Sequence, residues 1–318
     1  MLKNVLKYIG IDLGGTFIKG GVVNSLGQIL LSKQVETQAN YGADKVVDNI
    51  VVLIKDLIKS SNLNKEEICG VGMGVPGVID SKNGIAVCSH NLNFDNYEIA
   101  LNVSKKTGLK VKIANDANLA LLGEVLFGAG KNCKNALMLT LGTGVGGAAL
   151  IEGEILEGNK SAGAEFGHSV IVVDGNQCNC GRKGCLEAYC SAQALIKQTK
   201  KAMQEDEKSL MWQIGDINNV NGKTAFNYAN KDNKAKEVVD VYIKYLANGI
   251  INFANVFRPE VVILGGGISN QGESLFNPVQ KIVDEDIFAK DNTPKVKIVG
   301  AQLGNNAAVL GSVGLFKK

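Results

Sequence analysis

The chain has 318 residues, long enough for two domains and for burial of about three quarters of its unfolded surface. Hydrophobic residues make up 45% and charged residues 20%, which excludes disorder for the bulk of the chain. Lys+Arg 34 against Asp+Glu 31 leaves +3, and no strongly basic stretch points to nucleic acid or an anionic membrane surface as a partner.

Apolar runs predict strands over Tyr8–Ile11 and Phe17–Val23 around a glycine loop, with a third near Gln28–Glu36. Residues 43–59 carry Val46, Val47, Ile50, Leu53, Ile54, Leu57 and Ile58 at the three-four spacing of an amphipathic helix. Ile68–Val75 is a buried strand ending at Pro76-Gly77, and Val111–Ala114 is a short strand feeding a helix from about Ala117 to Phe127. A second hairpin follows over Ala136–Leu141 and Gly147–Ile151. Its Leu141-Gly142-Thr143-Gly144 echoes Leu13-Gly14-Gly15-Thr16, which suggests two related α/β lobes. Gln204–Lys236 is a polar surface excursion with short helices, and Glu237–Phe257 a long amphipathic helix stopped by Pro259. Val261–Leu264, Val296–Val299 and a helix over about Asn305–Phe316 complete the chain. No secretory apolar region is expected at the N-terminus. The longest uncharged stretch, Asn135–Ile151, holds four glycines and falls short of a membrane span, so a cytoplasmic protein is expected.

Five clusters carry chemistry. In Asp12-Leu13-Gly14-Gly15-Thr16 a strand delivers a carboxylate to its end, and two glycines turn the backbone so that N–H groups face an anion. Thr16 adds a hydroxyl, Lys19 a charge, and Asp12 is placed to hold Mg²⁺ through water. The other reading is an ordinary hairpin turn. Gly142-Thr143-Gly144 is a second candidate phosphate cradle. Gly265-Gly266-Gly267 is a third strand-to-glycine turn, where bare backbone would lie against an adenine ring. Each alone is equally a strand terminator. Asp116 in Asn115-Asp116-Ala117-Asn118 sits between a strand and a helix, as either a helix cap or a general base, with Asn115 orienting the substrate. His168 with Cys178, Cys180 and Cys185 makes a closed Cys₃His set for structural Zn²⁺, with Gly181 and Gly184 permitting the tight turn; the alternative is three free thiols. Cys69, Cys88, Cys133 and Cys190 are expected to be small core residues.

These pieces, in order along nearly the whole chain, resemble the ROK family (repressors, open reading frames and kinases). The matching motifs are D-L-G-G-T from Asp12, G-V-P-G from Gly74, N-D-A-N from Asn115, L-G-T-G-V-G-G from Leu141, E-F-G-H from Glu165, C-N-C-G-R-K-G-C-L-E from Cys178 and G-G-G-I-S from Gly265. Asn91-Leu92-Asn93-Phe94 departs from the family, whose kinases often carry an aromatic residue or Trp shortly after Asn-Leu.

The resemblance implies an α/β chain with the actin-like ATPase (ribonuclease H-like) fold, two lobes around a central cleft. The small lobe would hold residues 1–116 plus about 302–318, and the large lobe 117–301 with the zinc loop. It implies ATP- and Mg²⁺-dependent phosphorylation of a hexose by a homodimer, most like the bacterial glucokinases of the family. Asp116 would be the base. Gly77, Asn91, Asn115, Glu165, His168 and Glu187 would hold the sugar, His168 being also a zinc ligand. Asp12, Gly14, Gly15, Thr16, Lys19, Gly142, Thr143, Gly144, Gly265, Gly266 and Gly267 would serve the nucleotide. The alternatives are kinases of N-acetylmannosamine, N-acetylglucosamine, fructose or allose, which share these residues, and a sugar-responsive regulator. A regulator would need a helix-turn-helix segment before Tyr8, where no room is expected. A structural filament protein would need neither Asp116 nor a zinc-braced loop.

Overall fold

Three antiparallel strands open the chain in the computed structural model, which describes residues 5–317: β1 (Lys7–Leu13), β2 (Phe17–Asn24) and β3 (Ile29–Glu36). Then come α1 (Ala43–Ser60), β4 (Ile68–Val75), the short strands β5 (Val78–Asp80), β6 (Ile85–Ser89) and β7 (Phe94–Tyr97), α2 (Ile99–Thr107), β8 (Val111–Asn115) and α3 (Asp116–Phe127). The later elements are β9 (Ala136–Leu141), β10 (Val145–Ile151), β11 (Glu154–Ile155), α4 (Glu187–Cys190), α5 (Ala192–Glu205), α6 (Thr224–Tyr228), α7 (Asn233–Phe257), β12 (Val261–Gly265), α8 (Glu273–Asp286), β13 (Lys297–Gly300) and α9 (Ala307–Gly311).

The echo between the two glycine hairpins extends to the topology. One five-stranded sheet has the order β3-β2-β1-β4-β8 and the other β11-β10-β9-β12-β13. In each, the first strand of a hairpin pairs with a parallel strand that returns after a crossover. Such parallel returns need a connection of a dozen residues or more, usually helical. α1 and α7 lie in those crossovers.

Two compact units result. The first comprises the residues up to Asn132, Ile155–Ala164 and the segment from Gln302; the second comprises Cys133–Glu154 and Glu165–Ala301. The first therefore runs past the boundary at residue 116 expected from sequence, because α3 packs on α9. The ends of that expected lobe, residues 1–4 and 318, lie outside the described residues.

In the first unit the α1 stripe Val46, Val47, Ile50, Leu53, Ile54 and Leu57 shares one core with Ile9, Ile11 and Leu13 of β1 and with Val71, Met73 and Val75 of β4. Tyr8 and Val23 point to the opposite face and meet Val309, Leu310 and Val313. Both faces of the sheet are covered, so its central strands are apolar nearly throughout. Truncating Leu53 to Ala in such a core costs about 2–5 kcal/mol. In the second unit α7 packs against α4, α5, α6 and α8. It begins four residues earlier than its apolar pattern predicts, because the Asp232 side chain caps it by accepting the Ala235 N–H at 2.9 Å. The expected C-terminal helix is a short α-helix, α9, flanked by 3₁₀ turns. Among the described residues no helix is long and apolar enough to cross a membrane.

Candidate active site

Strand β1 brings Asp12 to its penultimate position, with Lys19 as its cross-strand partner on β2 and Gly74 beside it on β4. Burial, then the charge of Asp116, pushes the Asp12 carboxyl above its ordinary range, and Lys19 pulls it partly back. The turn after β1 is fastened from outside. Thr37 donates its hydroxyl to the Gly14 carbonyl at 2.6 Å and its N–H to the Thr16 carbonyl at 2.9 Å. Gly15 and Thr16 are left exposed, and a side chain added at Gly15 would meet open space. Thr37 was not legible from sequence, since no motif marks it.

At the end of β8 the helix cap falls to Asn115 and not to Asp116. Asn115 Oδ1 accepts the N–H groups of Ala117 at 2.9 Å and Asn118 at 3.3 Å, while its Nδ2 donates to the Gly77 carbonyl at 3.1 Å. Asp116 is then the first residue of α3, and one of its oxygens accepts the Ala117 N–H at 2.9 Å. Burial raises its carboxyl above the usual range, outweighing the backbone hydrogen bonds that oppose the shift. Such a group holds a proton more readily than an exposed aspartate, the tuning a general base requires. Gly77 follows β4 at φ 104° and is exposed. Asn91 is exposed in the 3₁₀ turn between β6 and β7. Leu92 and Phe94, which flank Asn93, are buried, and Asn93 donates to the Ala39 carbonyl at 2.8 Å. The segment that departs from the family pattern is thus anchored by its other residues and presents Asn91 outward.

In the second unit the glycine turn between β9 and β10 is also tied down. Gly142 donates its N–H to the Gly144 carbonyl at 3.0 Å and accepts the Ala192 N–H at 2.8 Å. Thr143 is exposed at the tip. Glu165 and His168 share one 3₁₀ turn, closed by the His168 N–H on the Glu165 carbonyl at 3.0 Å. Phe166 between them is buried, its ring 4.6 Å from that of Phe253. Gly265, the last residue of β12, is buried. Gly266 is at φ 83° and is pressed so closely on the Leu141 backbone that a Cβ would lie 2.5 Å from the carbonyl oxygen. Gly267 faces open space.

His168, Cys178, Cys180 and Cys185 place their four ligand atoms within 4.8 Å of one another. Cys178 Sγ is 3.8 Å from His168 Nδ1 and Cys180 Sγ is 3.7 Å from Cys185 Sγ. Tetrahedral zinc with bonds of ~2.0–2.3 Å sets its ligands about 3.5–3.8 Å apart, so the set fits. The Cys178 N–H donates to the Arg182 carbonyl at 2.8 Å, closing a turn that passes through Gly181 at φ 91°. Burial pushes the Cys178 and Cys185 thiols up, Cys178 to about 12, while the Arg182 N–H holds Cys180 down. Among the remaining cysteines only Cys190 is buried; Cys69 is exposed and Cys88 and Cys133 are intermediate. The expectation of four core thiols fails because a lone cysteine carries no sign of which strand face or loop it occupies; Cys69 lies on β4 between two buried neighbours and points the other way.

Residues 8–318 match the model of the ROK family. The chain is 37% identical over 317 residues to a glucokinase of Thermotoga maritima, with 98% of each chain covered. A crystal structure of a ROK family glucokinase from Streptomyces griseus in complex with glucose and AMPPNP is 30% identical, covers 97% of this chain and 98% of that one, and superposes with a TM-score of 0.78. A xylose repressor of Caldicellulosiruptor bescii is 28% identical over 98% of this chain and 78% of its own length. With its motifs in family order and the matching fold around them, the chain belongs to the ROK family.

Proposed function

We propose that this protein transfers the terminal phosphoryl group of ATP to glucose, giving glucose 6-phosphate. The observation that carries the proposal is the division of work between Asn115 and Asp116. Asn115 satisfies the N-terminus of α3, so the half-buried carboxylate of Asp116, raised above its ordinary range by burial, is not needed as the cap. It accepts the proton of the attacking sugar hydroxyl.

Gly77, Asn91, Asn115, Glu165, His168 and Glu187 are assigned to sugar recognition. His168 Nδ1 faces the cysteines, which leaves Nε2 for a sugar hydroxyl. The anchored turns at Gly14–Thr16 and Gly142–Gly144 supply N–H groups for donor phosphates, and Gly267 an open backbone surface for the base. Asp12 offers the single carboxylate that Mg²⁺ takes alongside phosphate oxygens; the ion would neutralise charge on the transferred group. His168, Cys178, Cys180 and Cys185 suit a structural Zn²⁺ with no open position, which braces the Glu165–Glu187 segment. The T. maritima and S. griseus relatives, both glucokinases, support glucose as the acceptor.

The test is a coupled ADP-release assay across glucose, N-acetylmannosamine, N-acetylglucosamine and fructose. Glucose is expected to give the highest kcat/KM. A higher value for an amino sugar would move the protein to another kinase of the family, and no turnover with any sugar would favour a regulator.

A further inference from the structure

Glu187 makes contacts that a role in holding sugar does not explain. Its Oε2 accepts the Val145 N–H at 2.9 Å, and its Oε1 lies 3.6 Å from Cys178 Sγ. A Cβ on Gly144 would stand 2.3 Å from Glu187 Oε2, so the glycine at 144 makes room for this carboxylate. The segment after Glu187 continues the attachment. Ser191 donates its N–H to the Glu187 carbonyl at 3.2 Å, and the next residue, Ala192, donates to the Gly142 carbonyl at 2.8 Å. Both ends of the Gly142–Val145 turn are therefore held by the stretch that follows Cys185, and one of the two ties passes through a side chain that touches the cysteine cluster.

We propose that Glu187 is a positioning residue for the phosphoryl donor: it fastens Val145 to the cysteine–histidine cluster, so that the cluster governs donor binding as well as sugar binding. The proposal rests on the assignment of Gly142–Gly144 to the donor phosphates. Backbone N–H groups stabilise a phosphate only while their directions are fixed beforehand. Gly142 is held by its bonds to Gly144 and Ala192, and beyond the exposed tip residue Thr143 the Val145 N–H is fixed by Glu187. A metal that holds Cys185 holds the backbone two residues before Glu187, and through that side chain the Val145 amide.

The experiment compares the full-length wild type with Glu187→Gln and Glu187→Ala, without sugar. Two quantities are read: hydrogen exchange of the Val145 amide, and affinity for the magnesium salt of a non-hydrolysable ATP analogue. Gln keeps both contacts, since its oxygen accepts from Val145 and its N–H₂ donates to sulfur. Ala loses both. The expected result is exchange at Val145 faster by about tenfold or more in Glu187→Ala, with analogue affinity weaker by about tenfold, the effect of losing one hydrogen bond to a charged group. Glu187→Gln should keep both near wild type even where its sugar affinity falls. Chelating the metal from wild type should move both quantities in the direction of Glu187→Ala. Where Glu187→Ala does not fold, Gly144→Ala displaces the carboxylate from Val145 and is expected to give the same two changes. Unchanged Val145 exchange in the variants would overturn the fastening while leaving the donor role of the turn intact. Faster exchange with unchanged analogue affinity would overturn the proposal by removing that donor role.

Discussion

Asn115 donates its side-chain amide to the carbonyl of Gly77 at 3.1 Å, across 38 positions of sequence, while its oxygen caps α3. One side chain thus ties the turn after β4 to the start of the helix that carries Asp116. Asn115→Ala removes the cap and that tie together. The expected loss of stability is about 0.5–2 kcal/mol, measured by denaturant unfolding. Asn115→Asp, which keeps the capping oxygen, should recover most of it. Equal losses in the two variants would show that the cap is not what Asn115 contributes.

With Asp116 as the proposed base, its raised carboxyl is expected to set the acid limb of the pH–rate profile. Below its folded pKa the group carries a proton and cannot accept another, so kcat/KM should fall on acidification with a midpoint above the ordinary 3.8. The same shift makes a stability prediction. Below the unfolded value both states are protonated and there is no penalty. As pH rises through the unfolded and then the folded pKa, the native state loses stability, and the loss persists at neutral pH. Asp116→Asn should therefore raise Tm at pH 7, with the gain vanishing below about pH 3.9. An unchanged or lower Tm at pH 7 would mean that burial does not dominate at this site.

Asp12, Gly15, Asp116 and Thr143 were legible in position because each lies at or just past a strand end or in a glycine turn, where the backbone places it whatever the rest of the chain does. Asp12, Gly15 and Thr143 fall where the strand-then-glycine pattern puts them. The residues that hold these turns in place were not legible. Thr37 lies 23 positions beyond Gly14, and Ala192 lies 50 positions beyond Gly142. No local pattern links them. The three-stranded sheet of β5, β6 and β7 also escaped the sequence, because its strands are three to five residues long and Asp80, Asn83, Asn93 and Asn96 read as turn formers. α8 was missed for a different reason. Pro278 lies inside it and mimics a stop signal, yet the helix continues to Asp286 with Leu275, Val279 and Val283 buried.

Elemental analysis of protein purified without chelators should find about one zinc per chain. Cys180→Ser removes one of four ligands and is expected to lose most of the metal and to raise the sugar KM, since Glu165, His168 and Glu187 lose a common brace. A wild type without zinc would return the three cysteines to free thiols in a loop, and an unchanged KM after the metal is lost would show that it does not brace the sugar-binding residues.

The most direct test of the account is turnover of glucose and ATP by the wild type and by Asp116→Asn, measured side by side as ADP release, with glucose affinity determined in parallel. The wild type should turn over. The Asn variant should lose about 10²–10⁴-fold in kcat, the usual contribution of a general base, with glucose affinity largely kept. A variant retaining more than about a tenth of the wild-type kcat would contradict the assignment of Asp116 as the base.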